Sequence, residues 1–168
     1  MLLPIAPDFE PDRRSWPGGS HQALQFLHFM HGSAGEIEDH VAALQPMHAQ
    51  YSMVCNRQGG IKDDIFVYRL DGPNDYLLCV NASNRDKIHS WLLEHGSSVS
   101  GCRIHDRSAE IAQIALQGPA TRAVVASFGS AAVDRLKLRE ATMVTIESVS
   151  CMVARTGYTG EFGYEFYI

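Results

Sequence analysis

Residues Tyr51 to Leu70 read YSMVCNRQGGIKDDIFVYRL, and this stretch decides the fold class because its hydrophobic period is two. The segments 49–56 and 63–70 alternate apolar and polar side chains, which is the pattern of a half-buried strand. The residues between them contain the pair Gly59 and Gly60, as expected of a turn or of a close backbone approach. The sequence therefore predicts two strands joined by a short glycine-containing connection.

Helices and further strands follow along the chain. Helices are predicted where apolar residues recur three or four positions apart: over 21–31 after a capping Ser20, over 34–44, over 85–95 between Asn84 and Gly96, and over 120–129. Strands are predicted over 76–82, 111–119 and 141–155, the last being the longest β-rich run. Hairpins combined with separate helices favour an α+β fold with antiparallel or mixed sheets.

Composition sets the domain count and excludes several partners. Residues 1–19 hold four prolines and are expected to form a poorly ordered arm, with residues 20–168 as one domain. The net charge of −5 predicts no nucleic-acid and no membrane partner. No apolar run approaches the roughly 20 residues that cross a bilayer, and the N-terminal residues do not fit a signal peptide, so an intracellular location is expected.

No metal site is expected. The four cysteines form no C-x-x-C pair, which argues against a zinc knuckle or a paired redox motif. His28 and His31 could share a helix face, but no cysteine or carboxylate stands at a spacing that would complete a site.

Asp63 and Asp64 begin a predicted strand, and period two sends their side chains to opposite faces. Asp64 shares its face with Phe66 and Tyr68, an arrangement that raises a carboxyl pKa by desolvation or grips a polar edge of a ligand. The alternative is that both aspartates are turn residues that cap the glycine connection.

Glu165 stands between Tyr164 and Phe166 in the closing stretch RTGYTGEFGYEFYI, residues 155–168, where glycines recur every three positions. A carboxylate in a covered strand needs a partner, and its two oxygens can accept parallel N–H bonds from a planar guanidine-like edge such as an amino-pyrimidinone. The alternatives are an internal pair with Arg155 or an edge-strand charge that limits aggregation.

Four blocks in order, YSMVCNRQGGIKDDIFVYRL, YLLCVNASNRDK, ALQGP and RTGYTGEFGYE, resemble the aminomethyltransferase (T-protein) family of the glycine cleavage system over residues 22–168. The resemblance implies folate-binding lobes and an enzyme dependent on tetrahydrofolate. Such an enzyme takes an aminomethyl group from the lipoyl arm of H-protein, releases ammonia and leaves 5,10-methylenetetrahydrofolate. Tetrahydrofolate and lipoylated H-protein are therefore the expected acceptor and partner, without a metal.

The resemblance also assigns roles to individual residues. Asp64 matches the catalytic aspartate of the GG-x-x-DD block, near the N5 and N10 nitrogens of the folate. Glu165 matches the carboxylate that holds the pterin ring. Ligand-lining positions correspond to four further residues: Tyr51, Tyr68, Asn81 and Tyr158.

Departures from the family pattern keep other interpretations open. The arm replaces a DVSHMG-like block of the family, and the family continues beyond the closing glutamate, so the chain is expected to be a fragment, incomplete at both ends. One alternative is a catalytically inactive folate-binding or interaction module. Another is the folate lobe of a dimethylglycine or sarcosine dehydrogenase relative. The expected compartment is the bacterial cytoplasm, with the mitochondrial matrix as the alternative.

Overall fold

The computed structural model describes residues 2–7, 41–72, 75–96, 102–128 and 130–168. The chain divides into two compact units. The first unit comprises Met1–Pro46 and Gln50–Ser108, and the second comprises Met47–Ala49 and Ala109–Ile168. Both units combine an antiparallel sheet with short helices, which confirms the α+β class.

The first unit is built on a five-stranded sheet in the order β2-β3-β4-β1-β5. Its strands are β1 Leu2–Pro7, β2 His48–Cys55, β3 Ile61–Arg69, β4 Tyr76–Val80 and β5 Cys102–Ile104. Helix α1 spans Arg85–Gly96, and short 3-10 turns occupy Val41–Ala43 and Ala82–Asn84. The predicted strands around Gly59 and before Asn81, and the predicted helix that ends at Gly96, are thus confirmed.

The connection between β2 and β3 is held by a side chain that imitates a backbone turn. Asn56 Oδ1 accepts hydrogen bonds from the backbone N–H groups of Gln58 at 3.0 Å and Gly60 at 2.8 Å. Gly59 has a φ of +80°, which an L side chain adopts only under strain. The turn therefore closes through Asn56 and Gly59, and the two aspartates remain available for other contacts.

The core of the first unit lies between one face of this sheet and α1. Alternate residues of the strands point into it and meet the apolar stripe of the helix, as the two periodicities predict. Its buried members from the strands and the helix are Val54, Ile65, Val67, Tyr76, Leu78, Val80, Ile88, Trp91 and Leu92.

Strand β1 lies within the stretch that the sequence assigned to a loose arm. It pairs with β4 through Leu2–Ile5 and with β5 through Ile5–Pro7. Each of its two prolines is paired with one neighbour only, which suits a residue without a backbone donor. The rest of the predicted arm, and the predicted helix over 21–31, lie outside the described residues.

A charge-assisted contact joins the start of α1 to the loop after β5. Arg85 donates from Nε at 2.9 Å and from Nη2 at 2.7 Å to Asp106 Oδ2, and Ser108 donates to Asp106 Oδ1 from its backbone N–H and its hydroxyl. Burial raises the pKa of Asp106, but the hydrogen bonds from Ser108 and Arg85 outweigh it and lower the pKa from 3.8 to about 2.

The four strands of the second unit have the order β6-β9-β8-β7, with all three pairs antiparallel. They are β6 Gln113–Gln117, β7 Ala141–Ile146, β8 Val149–Ala154 and β9 Gly163–Tyr167. Helices α2 Thr121–Ser127 and α3 Ala131–Asp134 supply Val125 and Val133 to a core that includes Val153, Tyr164 and Phe166 of the sheet. Among the described residues, no helix is long and apolar enough to cross a membrane.

The predicted long β-rich run over 141–155 is interrupted by a tight turn. Glu147 and Ser148 connect β7 to β8, and Ile146 pairs directly with Val149. Both turn residues have positive φ, +47° and +71°, as a two-residue type I′ hairpin requires. The turn escaped detection because neither residue is Gly, Asn or Asp, which are the usual signals for this geometry.

Replacing Glu147–Ser148 by Asn–Gly is expected to stabilise the second unit by about 1 kcal/mol, because Asn and Gly adopt positive φ at lower cost. Urea unfolding followed by circular dichroism measures this change. The matched variant Ser148→Ala keeps the strained conformation and is not expected to stabilise. Equal urea midpoints for the Asn–Gly variant and wild type would show that the positive φ angles of Glu147 and Ser148 cost little free energy.

The lowered pKa of Asp106 predicts acid sensitivity of the first unit. A folded-state pKa below the ordinary value contributes stability above about pH 4, and this contribution is lost as the pH falls towards 2. Asp106→Asn should therefore cost about 1–2 kcal/mol at neutral pH and almost nothing near pH 2. Unfolding midpoints against pH test this, with Asp86→Asn as the exposed control; a penalty that does not change with pH would be inconsistent with it.

Candidate functional site

The side-chain amide of Asn81, directly after β4, contacts the carboxylates of both Asp63 and Asp64 in β3. The pairing of β3 with β4 ends at Ile65 and Val80, and Asn81 is the residue after Val80. Its Nδ2 lies 2.9 Å from Asp63 Oδ1, 2.9 Å from Asp64 Oδ1 and 3.1 Å from the Asp64 carbonyl oxygen. The two carboxylates lie on opposite faces, as predicted, and Asn81 reaches both because the β3–β4 ladder ends here.

The two carboxylates differ in burial and in partners. Asp63 is 4% exposed and accepts from the Asn81 backbone N–H at 3.1 Å and from Asn84 Nδ2 at 2.5 Å, besides the Asn81 amide. Asp64 is half-buried, and its Oδ2 accepts from the Tyr51 hydroxyl at 3.0 Å. Asp63 has the surroundings of a structural group, whereas Asp64 retains access to solvent and lone pairs for a ligand.

Aromatic rings extend from Asp64 along the same face of the sheet. The centroids of Tyr51 and Phe66 are 5.6 Å apart in an edge-to-face contact, and those of Phe66 and Tyr68 are 6.1 Å apart. The face predicted from period two is thus confirmed for Asp64, Phe66 and Tyr68. Tyr51 is exposed and Tyr68 is buried, so Tyr51 has more surface to offer a ligand.

Glu165 occupies the centre of the second sheet and is 9% exposed. It pairs with Ala115 of β6 and Ala154 of β8, so both neighbours on its face carry only a methyl group. Oε1 accepts from Gln113 Nε2 at 2.9 Å, and Oε2 accepts from the Thr156 hydroxyl. Two neutral donors thus hold the carboxylate, and the residues paired with Glu165 on both sides have small side chains.

One alternative interpretation of Glu165 was an ion pair with Arg155, but Arg155 contacts other residues. Its Nη1 donates to the Leu136 carbonyl at 3.1 Å, and its guanidinium lies 4.7 Å from the centroid of Phe162. Arg122 lies over the same ring at 4.1 Å. Phe162 is thus held by two cation–π contacts, a feature that the sequence analysis did not predict.

The glycine-rich loop before β9 is fastened by Gln117 at the end of β6. Gln117 Nε2 donates to the carbonyl oxygens of Thr156 at 3.3 Å and Tyr164 at 3.2 Å. A Cβ at Gly157 or Gly163 would overlap the Gln117 amide. These glycines permit a close approach, and Tyr158, 84% exposed, lies in the loop that they flank.

The structure brings together three of the predicted site residues, Tyr51, Asp64 and Asn81, in the first unit. Tyr68 lies on the same strand as Asp64, while Glu165 and Tyr158 belong to the second unit. Sequence reasoning did not predict a supporting role for Asp63 or Asn84, and it did not single out Gln113, Thr156 or Gln117. Only strand register could have revealed them, since Gln113 and Glu165 are 52 positions apart.

In the part of the chain that the structure describes, no group of three His, Cys, Asp or Glu residues could hold a metal ion. His28 and His31 lie outside that part.

The α+β fold agrees with a family match. The chain matches the GCVT N-terminal domain over residues 36–168 and belongs to this family, which confirms the resemblance of the four blocks. It is 44% identical over 131 residues to an aminomethyltransferase of Geobacillus kaustophilus and 42% identical over 153 residues to one of Geobacillus thermodenitrificans. These matches cover 76% and 89% of this chain but 34% and 38% of the relatives, so the chain spans about a third of their length.

Solved structures share the fold. The glycine cleavage system aminomethyltransferase T from Bartonella henselae is 24% identical with a TM-score of 0.74, covering 99% of this chain and 39% of that chain. The heterotetrameric sarcosine oxidase from Corynebacterium sp. U-96 is 16% identical with a TM-score of 0.55, covering 99% and 71%. The architecture is therefore common to both proteins, and the first is the more similar.

Gly163→Ala is expected to destabilise the second unit by about 1–3 kcal/mol, because the new methyl group displaces the Gln117 amide and removes its hydrogen bonds to the carbonyl groups of Thr156 and Tyr164. Urea unfolding of Gly163→Ala, Gln117→Ala and the double variant forms a thermodynamic cycle. The double variant should cost little more than Gln117→Ala, since the obstructing amide is already gone. Fully additive penalties would disprove the proposed overlap.

Proposed function

We propose that this chain provides the folate-binding and catalytic region of a tetrahydrofolate-dependent aminomethyltransferase of the glycine cleavage system. The observation that carries the proposal is the cluster of Tyr51, Asp64 and Asn81. The family resemblance assigned these three residues to one site, and Asp64 lies within hydrogen-bond distance of both Tyr51 and Asn81. Membership of the GCVT N-terminal domain family supports the same activity.

Asp64 is proposed as the catalytic residue. Each of its carboxylate oxygens accepts one hydrogen bond, from Asn81 and from Tyr51, which fixes the orientation of the group. An ionised carboxylate still has lone pairs for a further donor. When bound, tetrahydrofolate supplies the nitrogen atoms that accept the one-carbon unit. Asp64 would orient such a nitrogen and stabilise positive charge on it.

Glu165 is proposed to hold the pterin ring. Gln113 donates to one oxygen and Thr156 to the other, which fixes the orientation of the carboxylate. A planar amino-pyrimidinone offers two parallel N–H groups with the spacing that a carboxylate accepts. The alanines beside Glu165 leave room for a flat group, and Tyr158 is proposed to add contact area from its loop.

The wider reaction follows from the same proposal. The donor would be the aminomethyl-lipoyl arm of H-protein, ammonia would be released, and 5,10-methylenetetrahydrofolate would be the product. The bacterial sources of the relatives favour the bacterial cytoplasm as the compartment. The more remote fold likeness to sarcosine oxidase makes the oxidase-type folate lobe the weaker interpretation.

Asp64→Asn is expected to bind tetrahydrofolate within a few-fold of wild type but to lower methylene transfer by roughly 100-fold or more, because the amide keeps the shape and loses the charge. Calorimetric titration measures binding, and ammonia release from aminomethylated H-protein measures transfer. The exposed control Asp86→Asn should behave as wild type. Unchanged transfer in Asp64→Asn would refute the catalytic assignment.

Glu165→Gln in the same titration separates the remaining outcomes. Binding should weaken roughly tenfold or more, since the amide offers one acceptor oxygen where two are needed, and the exposed control Glu161→Gln should have no effect. Binding without ammonia release in wild type would indicate a folate-binding module. No binding by the folded wild-type chain would refute the proposed function.

A further inference from the structure

The connection between α3 and β7 is cationic, although the chain as a whole has a net charge of −5. Three exposed basic residues stand at alternate positions of the stretch RLKLR: Arg135, Lys137 and Arg139. The acids on either side of the stretch have other partners. Asp134 Oδ1 accepts from Arg122 Nη1 at 3.1 Å. Glu140 Oε1 lies 3.8 Å from His48 Nε2. Among the described residues, no carboxylate forms an ion pair with the three basic side chains.

Residues 137–140 form a β-turn that carries an exposed leucine. The Glu140 backbone N–H donates to the Lys137 carbonyl at 3.0 Å, and Glu140 Oε2 accepts from the Lys137 backbone N–H at 2.8 Å. Leu136, just before the turn, is 8% exposed and belongs to the core of the second unit. Leu138, within the turn, is 69% exposed. The turn therefore presents an apolar side chain to solvent, with a cation on each side of it in the sequence.

Backbone hydrogen bonds hold this turn against its neighbours within the second unit. The Arg139 N–H donates to the Arg155 carbonyl at 2.9 Å, and the Arg139 carbonyl accepts from the Ala49 N–H at 2.7 Å. The Arg155 N–H in turn donates to the Glu140 carbonyl at 2.8 Å. A turn that is fixed in this way loses little conformational entropy when it meets a partner.

Arg139 has a backbone conformation that favours a different residue type. Its φ is +69°, and Leu138 before it does not have a positive φ. A positive φ only at the third residue of a β-turn is the type II geometry, in which Gly or Asn is preferred at that position. Within the described residues, the Arg139 side chain forms no hydrogen bond or ion pair that would offset the strain. A strained residue without an internal role for its side chain suggests a role outside the chain.

We propose that residues 135–140, which we call the basic turn, form a docking surface for an acidic protein. Leu138 supplies the apolar centre of the contact and the three cations supply its charged rim, which is the usual anatomy of a protein interface. Opposite charge on the partner speeds encounter and sets orientation.

A protein partner fits the basic turn better than other anionic macromolecules do. Nucleic-acid binding draws its affinity from many phosphate contacts, and three cations are few for that purpose. The net charge of −5 opposes approach to an anionic membrane. An acidic protein can combine carboxylates with an apolar spot that receives Leu138, so it matches both features of the turn.

Fluorescence anisotropy with a labelled peptide of glutamates around a central leucine tests the docking surface. Wild type should bind the peptide at low ionic strength and lose roughly tenfold or more in affinity at high ionic strength, because salt screens exposed charges. Leu138→Ser and Arg139→Gly should each weaken binding by roughly fivefold or more. The controls Met143→Ser and Arg57→Gly, which change an exposed apolar residue and an exposed cation elsewhere, should bind as wild type does.

Several results would overturn the proposal. These are no binding of the peptide by wild type, equal losses in the controls, or binding of phosphatidylglycerol vesicles or duplex DNA through the basic turn in place of the peptide. A measurement without a partner adds an independent check. Arg139→Gly should unfold at an equal or higher urea concentration than wild type, because glycine relieves the positive φ. A lower urea midpoint would assign Arg139 a structural role and contradict the docking role.

No residue of the basic turn belongs to the proposed folate site, so the two proposals can fail separately. Leu138→Ser and Arg139→Gly should bind tetrahydrofolate as wild type does in calorimetric titration. If wild type bound the acidic peptide through the basic turn but did not bind tetrahydrofolate, the docking surface would stand and the proposed function would be wrong.

Discussion

A carboxylate that leaves bulk water must keep hydrogen-bond donors around it, and this requirement organises the acidic clusters of both units. Asp63 is served by Asn81 and Asn84, and Glu165 is served by Gln113 and Thr156. These donors are neutral amides and a hydroxyl. Around Asp63 they satisfy the geometry of the oxygens without cancelling the negative charge, so that cluster keeps an electrostatic preference for a donor-rich or cationic group.

The division of labour between adjacent aspartates follows from the end of a strand pair. Along a regular ladder, Asp63 and Asp64 would serve different faces and share no partner. Pairing of β3 with β4 stops at Ile65 and Val80, and the next residue, Asn81, is then free to reach both carboxylates. Asp63 is therefore buried and Asp64 stays accessible, although the two are adjacent residues of the same type.

Periodicity predicted the elements whose apolar residues face a core. It located β3, β4 and α1 because the apolar residues within each element recur at the spacing of a strand or a helix. Ile65, Val80 and Ile88, one from each element, meet in one cluster. It failed at Glu147–Ser148, since those residues carry no turn signal and take positive φ only because the register of the hairpin demands it. Local rules cannot describe a conformation imposed by pairing.

The candidate site also combines residues that the sequence could indicate with residues that only the folded structure reveals. The family resemblance assigned Tyr51, Asp64 and Asn81 to one candidate site because the motif blocks that contain them occur in the sequence, and the structure brings these three residues together. The residues that hold them in place depend on contacts between distant strands, and no window of sequence contains both partners. The alternative pairing of Arg155 with Glu165 was compatible with composition, but Arg155 is engaged by Leu136 and Phe162.

Support from a distant strand fixes the glycine-rich loop on which the exposed Tyr158 lies. Gln117 joins the carbonyl groups of Thr156 and Tyr164, which stand at the two ends of the loop, so the path of the backbone around Tyr158 is set within the unit itself. A loop fixed before binding loses less conformational entropy when a ligand arrives. An exposed tyrosine on such a loop can therefore contribute contact area at lower cost than one on a loop that must first be ordered, and the closely packed glycines are the condition for that support.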